Sequence, residues 1–422
     1  MRTLIVHAYL KRAKGVRDPE RRLAESVALA VAMKVEIAGR FLVPLARIQT
    51  DTFIGHGKVE EFKELIAAEK AGLVILDCTL RPIQQRNLEQ AWGLKVIDRT
   101  ALILEIFGQR AHTREGVLQV ELAHLEYQRG RLVRSWTHLE RQRGGFGFLG
   151  GPGERQIEAD RRLIGERIKR LRTLLEEVRR TRRLQRRART SVPYPTAALV
   201  GYTNAGKSTL FNRLVGAKVL VAAMLFATLD PTMRVLKLPS GRKLILSDTV
   251  GFISDLPTEL IAAFRATLEE VIEADLILHI EDAANPDARI LRREVNKVLE
   301  NLGVHQDGPE TFMVRNKLDL LAAAPRPENA ATIYCSAVTG EGIDDLLTAL
   351  DASLARHEVR IEVCLALRAG KARAWLHRNA QVLGEEMVDD QLRLSVRIAP
   401  QLRGYFEKHF AADIGSGSRL AS

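Results

Sequence analysis

Residues 197–216 read AALVGYTNAGKSTLFNRLVG. An apolar run, a glycine-bounded loop and an amphipathic run follow in turn, which predicts strand, loop and helix. The loop fits G-x-x-x-x-G-K-S through Gly201, Gly206, Lys207 and Ser208. Each residue type has a physical task. The glycines let backbone N–H groups wrap phosphate oxygens, and Lys207 reaches the outer phosphates. The Ser208 hydroxyl offers an oxygen to Mg²⁺, and the helix start adds positive potential. Tyr202, Thr203, Asn204, Ala205 and Thr209 complete the expected nucleotide-facing loop.

Three further motifs follow in order. KLILSDTVG (243–251) is a strand ending in D-x-x-G, which places Asp248, Thr249, Val250 and Gly251 at the phosphates. Asp248 suits Mg²⁺ through a water, and the Gly251 N–H suits a γ-phosphate. TFMVRNKLD (311–319) ends in N-K-x-D, with Asn316, Lys317 and Asp319. A buried Asp319 carboxylate accepts both N1–H and the exocyclic amine of guanine, a donor pair that adenine lacks, so ATP is rejected. IYCSAVTGEGI (333–343) supplies Ser336 and Ala337, where a backbone N–H faces guanine O6. LFATLDPTMR (225–234) lies where a switch threonine binds the metal, so Phe226, Ala227, Thr228, Leu229 and Asp230 join the candidates. Thr228 is the chosen metal ligand and Thr232 the alternative. The expected metal set is Ser208, Thr228 and Asp248. Together these predict a GTP-binding domain with its ligand at the carboxyl ends of the strands.

No catalytic residue is assigned for hydrolysis. Phe252 follows Gly251, where Ras-like enzymes carry the glutamine that orients water. Slow intrinsic turnover, helped by a partner or an ion, is expected. Asn204 stands where several GTPases that use K⁺ as a charge substitute carry asparagine. A loop-shaping role is the other reading.

The rest of the chain gives the frame. The 46% hydrophobic content supports packed cores, and the 5% aromatic content argues against an aromatic binding platform. MRTLIVHAYLKR has too short an apolar run for a signal peptide, and no apolar stretch suggests a membrane span. Cys78, Cys335 and Cys364 show no metal-site spacing and are expected to be idle thiols in a reducing cytoplasm.

Residues 1–110 read as a small α/β unit, with strands at TLIVHAYL and AGLVILDCTL. One helix starts at Asp18-Pro19 and a second is closed by Gly72. Residues 111–192 carry two heptad seams. The first runs through Leu118, Leu122, Leu125, Arg129, Leu132, Trp136 and Leu139, the second through Ile164, Ile168, Leu171, Leu175 and Val178. Between them lies RGGFGFLGGPGER (143–155), which suggests an antiparallel hairpin with a glycine-rich tip at 144–153. Two ordinary amphipathic helices are the other reading. Residues 193–356 form the GTPase domain. Residues 357–422 read as strand–helix–strand–helix with a flexible tail. The fold class is therefore α/β: an N-terminal α/β subdomain with a long antiparallel hairpin, a mostly parallel P-loop domain with helices on both faces, and a small α+β C-terminal domain.

The formal charge is +12, and residues 155–190 carry 14 Lys/Arg against 5 Asp/Glu. Such concentration favours a polyanion, either nucleic acid or an anionic membrane.

At this point the chain resembles the HflX family of ribosome-associated bacterial GTPases. LERQRGGFGFLGGPGERQIEADRRLIGERI ahead of VGYTNAGKSTLFN, with LFATLDPT, SDTVGFI and NKLD, carries the resemblance over nearly the whole chain. Arg155 departs from the threonine usual at its place in that family. The resemblance implies a cytoplasmic monomer that binds GTP or GDP and Mg²⁺. It also implies engagement of the large ribosomal subunit, through its RNA and protein, and splitting of stalled or idle ribosomes. The expected RNA contacts are Gly144, Gly145, Phe146, Gly147, Phe148, Gly150 and Gly151 at the tip, and Arg179, Arg180, Arg182 and Arg183 on the basic helix. A rival reading is a GTP-driven switch at an anionic membrane, partly membrane-associated without stable insertion. The narrow apolar stripe suits a partner helix better than a bilayer. A tRNA-modifying GTPase is disfavoured because Cys364 lies inside a predicted strand.

Overall fold

The computed structural model describes residues 1–11, 17–134, 152–189, 194–216, 226, 232–255, 268, 270–304, 308–323, 331–356, 358–388 and 391–415. Trp136, Leu139, the glycine-rich stretch 143–151, Ala227–Asp230 and the terminal tail lie outside the described residues.

The N-terminal unit is a parallel four-stranded sheet in the order β2-β1-β3-β4. Its strands are β1 (Arg2–Leu10), β2 (Glu36–Leu45), β3 (Leu73–Leu76) and β4 (Lys95–Asp98). The helices between them are α1 (Pro19–Ala32), α2 (His56–Glu69) and α3 (Pro82–Trp92), and α4 (Arg99–Arg110) follows β4. Helix α1 starts as its sequence dictates, with Pro19 at the first turn and the Asp18 side chain accepting the Glu20 N–H. Helix α2 ends earlier than Gly72. Lys70 takes the left-handed conformation (φ 50°), and the Gly72 N–H pairs with the Arg2 carbonyl at the sheet.

Helices α5 (Arg114–Arg134) and α6 (Pro152–Arg189) pack along an apolar seam. Leu122, Ile168, Leu171 and Leu175 are buried there, flanked by Leu118, Leu125 and Ile164. Gln128, Arg131 and Leu132, late in α5, share a groove with Asp160, Leu163 and Ile164, early in α6. That is the direction of an antiparallel hairpin. Arg167–Glu121 (2.7 Å) and Arg172–Glu126 (2.6 Å) cross between the helices.

The GTPase domain has a six-stranded sheet in the order β10-β9-β8-β5-β7-β6. The strands are β5 (Thr196–Gly201), β6 (Thr232–Lys237), β7 (Lys243–Asp248), β8 (Leu276–Asp282), β9 (Glu310–Asn316) and β10 (Thr332–Tyr334). All pairs are parallel except β6–β7. The central strands β5 and β8 are almost wholly buried, as expected for strands covered on both faces. Helix α7 (Lys207–Val215) follows the loop after β5, and α8 (Ala288–Asn301) and α9 (Ile343–Arg356) also belong to this domain.

The C-terminal unit is β11 (Val359–Ala366), α10 (Gly370–Asn379), β12 (Gln381–Val388), β13 (Gln391–Ile398) and α11 (Pro400–His409). Its antiparallel order is β11-β13-β12. Strand β12 was not expected from the sequence, because it is an edge strand without a continuous buried face.

One apolar core crosses the boundary between the N-terminal unit and the GTPase domain. It joins Leu102, Ile106 and Phe107 to Tyr202, Phe226, Phe252 and Leu291. Phe107 and Phe226 meet edge to face, 4.6 Å between ring centroids.

Candidate nucleotide site

The four motifs converge at the carboxyl ends of β5, β7, β9 and β10. Two glycines there are obligatory. A Cβ on Gly201 (φ +147°) would lie 2.2 Å from the Ile280 carbonyl oxygen, and one on Gly206 (φ +90°) 2.2 Å from the Asn316 amide nitrogen. Gly206 caps α7, so its conformation aims the first helical N–H groups into the loop. Asn204 takes φ 62° and is exposed. Asparagine tolerates this left-handed conformation, which matches the loop-shaping reading.

Lys207 is buried, and its ammonium donates to the carbonyls of Gly201 (3.0 Å) and Tyr202 (2.9 Å). Burial pushes its pKa down to about 8, against the opposing attraction of Asp248. Ser208 sits on the first turn of α7, and Asp248 is buried at the end of β7 opposite Leu199. A hydroxyl and a carboxylate are hard oxygen donors, and this set fits Mg²⁺. Thr232 begins β6 directly across the ladder from Asp248, while Thr228 is outside the described residues.

Asn316 acts as a brace. Its amide donates to the Ala205 carbonyl (2.9 Å), and its oxygen accepts the Ala337 N–H (2.9 Å). It thereby ties the phosphate loop to the loop after β10, and the Ala337 N–H offered to guanine O6 already has this acceptor. Lys317, at φ 67°, pairs with Asp282 at 2.7 Å. Asp319 accepts the Ser336 hydroxyl at 2.5 Å. The motif predicts a buried carboxylate, but Asp319 is exposed on a short 3-10 turn (Leu318–Leu320) at the mouth of the site. Two expected contacts turn away. The Thr249 hydroxyl donates to the Leu199 carbonyl at 2.5 Å, and Phe226 packs on Phe107. Burial of these two side chains leaves only the backbone at each position for a ligand.

Sequence reasoning missed the polar junction behind the loop. Glu25 of α1 accepts from Arg17 (2.7 Å), from Arg99 and from the Tyr202 hydroxyl (2.9 Å). Arg99, 1% exposed, also pairs with Asp77 at 2.5 Å and donates through Nε to the Ser254 carbonyl at 3.2 Å. The arginines hold the Asp77 and Glu25 carboxyls below the usual carboxylate range despite their burial. No local pattern marks these residues, because the contacts join positions as far apart as Arg17 and Ser254.

The chain is similar to known proteins over most of its length. Residues 20–108 match the GTP-binding GTPase N-terminal family and residues 110–189 its middle region. Residues 196–317 match the family described as 50S ribosome-binding GTPase, and residues 319–414 the HflX C-terminal domain. GTPase HflX of Magnetococcus marinus is 50% identical over 396 residues, covering 93% of this chain and 91% of that one. GTPase HflX of Escherichia coli is 43% identical over 406 residues, covering 94% and 93%. Among solved structures, a GTP-binding protein from Sulfolobus solfataricus in complex with GDP is similar at 21% identity and TM-score 0.44. It covers 83% of this chain and 98% of that one. With relatives this similar over nearly their full length, and with the phosphate-loop, D-x-x-G and N-K-x-D motifs at the strand ends of one sheet, the chain belongs to the HflX family of P-loop GTP hydrolases.

Proposed function

We propose that this GTPase binds the large ribosomal subunit and splits stalled or idle ribosomes in a GTP-dependent manner. The observation that carries the reading is the hairpin. Helix α6 presents Arg161, Arg162, Lys169, Arg170 and Arg180 to solvent, and it leads from the glycine-rich stretch. A basic helix that follows a glycine-rich stretch suits entry into an RNA channel, with phosphate contacts on the helix and Phe146 or Phe148 against a base. The 50S ribosome-binding family that matches residues 196–317 points the same way.

Within the site, the N–H groups of residues 204–209 hold the phosphates and Lys207 meets their outer charge. Asp319 reads the guanine edge, and Ser208 and, through a water, Asp248 would hold Mg²⁺. The metal, when bound, neutralises charge on the β- and γ-phosphates. Phe252 is 2% exposed and offers no side-chain hydrogen bond to water. Turnover therefore depends on groups supplied by the ribosome, and large subunits are expected to raise the rate by orders of magnitude.

Sedimentation with large subunits in GTP-analogue, GDP and nucleotide-free buffers tests the reading. Retention in the pellet with the analogue, reduced with GDP, is expected. Absence from the pellet in every nucleotide state, or binding to anionic vesicles in place of subunits, contradicts it.

A further inference from the structure

The segment that reads the γ-phosphate is docked on the phosphate loop. The Thr203 N–H donates to the Phe252 carbonyl at 2.7 Å, and the Phe252 N–H donates to the Gly201 carbonyl at 3.1 Å. Residues 202 and 252 thus extend the β5–β7 pairing by a bridge. Gly251 is pressed so close that a Cβ there would lie 2.8 Å from Thr203 Cγ2 and 3.0 Å from the Lys207 ammonium. Gly251 thus stands against the Lys207 ammonium, and a third phosphate would have to sit between the two.

A tyrosine of the phosphate loop fastens it. The Tyr202 hydroxyl accepts the Ser254 N–H at 2.9 Å, lies 2.6 Å from Ser254 Oγ, and donates to Glu25 at 2.9 Å. Arg99 holds the same serine from the other side through its carbonyl, at 3.2 Å. Tyr202, Ser254, Arg99 and Arg17 are all buried. Water therefore does not compete for these bonds, and a buried, multiply hydrogen-bonded polar cluster has one preferred geometry.

We infer that Tyr202 and Ser254, held by Glu25 and Arg99 of the N-terminal unit, form a latch that positions the D-x-x-G segment and sets the preference between GTP and GDP. GDP does not reach Gly251 and binds with the latch closed. GTP binds only when the Phe252 bridge opens and Gly251 withdraws, so the latch weakens GTP alone. A movement of the N-terminal unit that withdraws Glu25 and Arg99 then favours the triphosphate state. This inference is independent of the ribosome reading and concerns the isolated protein.

The test uses Tyr202→Phe, which removes one oxygen and keeps the ring packed, and separately Ser254→Ala. Affinities for GDP and for a non-hydrolysable GTP analogue are measured by competition against a fluorescent nucleotide. Each variant is expected to raise the preference for the analogue over GDP by roughly five- to tenfold, because each side-chain oxygen makes several bonds whose net contribution to the closed state is modest. The double variant is expected to raise it by less than the product of the two, since both act on one latch. A purely structural role moves both nucleotides equally. An unchanged ratio, or one shifted toward GDP, in whichever variant folds overturns the inference.

Discussion

Asp319 and Lys207 are the side chains proposed to meet the guanine edge and the outer phosphates at this site. Asp319 stands at the mouth, oriented by the Ser336 hydroxyl. Replacing it with asparagine turns one acceptor edge into a donor. Asp319→Asn is expected to lose roughly a hundredfold in GTP affinity and to gain affinity for xanthosine triphosphate, whose extra carbonyl accepts from the amide. Unchanged GTP affinity in a competition assay contradicts the assignment. Lys207 has its pKa depressed to about 8 by burial, so above that pH the free protein holds it largely neutral. Bound phosphates require the ammonium. The sign follows: binding takes up a proton, and affinity falls as pH rises above about 8. Calorimetric titration of GDP at about pH 9, in buffers of different ionisation enthalpy, is expected to report uptake approaching one proton. No uptake contradicts the depressed pKa. Both residues were legible in the sequence because a motif fixes their chemistry. The exposure of Asp319 was not, since it depends on how a turn seats itself against Ser336.

Strand ends and helix seams decide the middle scale. Gly206 links β5 to α7 under the Asn316 brace, and any Cβ there meets the amide. Gly206→Ala is therefore expected to destabilise the domain by about 1–3 kcal/mol through the positive φ and the clash, read as a lowered denaturant midpoint. Ile168 and Leu171 form the centre of the α5–α6 seam. Ile168→Ala is expected to cost about 2–5 kcal/mol by leaving a cavity, read as faster amide exchange along α6 while the GTPase sheet is spared. Equal loss in both would contradict an independent seam. Elements with a continuous apolar run or a strict heptad were legible: β1, β3, β5, α5 and α6. Strand β2 mixes exposed and buried positions, and β12 is an edge, so period and burial gave no signal there. Helices α3 and α4 were also missed. Each follows directly on a short strand or its turn, so the 3.6-residue pattern never ran clear of its neighbours.

At the scale of the molecule, the N-terminal unit and the GTPase domain share one apolar core and one buried polar junction. Under the proposed function, a hairpin engaged on RNA would bear on the nucleotide site through α1 and α4. The order of the units was readable from motifs and charge. Their mutual packing was not, because Arg17, Glu25 and Arg99 meet Tyr202 and Ser254 only once three separate elements are folded. The account's central claim is that GTP and the glycine-rich hairpin together drive ribosome splitting. Light scattering of intact ribosomes tests it most directly. With GTP, the protein is expected to lower the scattering as subunits separate, and a variant shortened between Gly144 and Gly151 is expected to bind GTP normally yet leave the scattering unchanged. Full splitting by the shortened variant, or no splitting by the intact protein with GTP, would contradict the account.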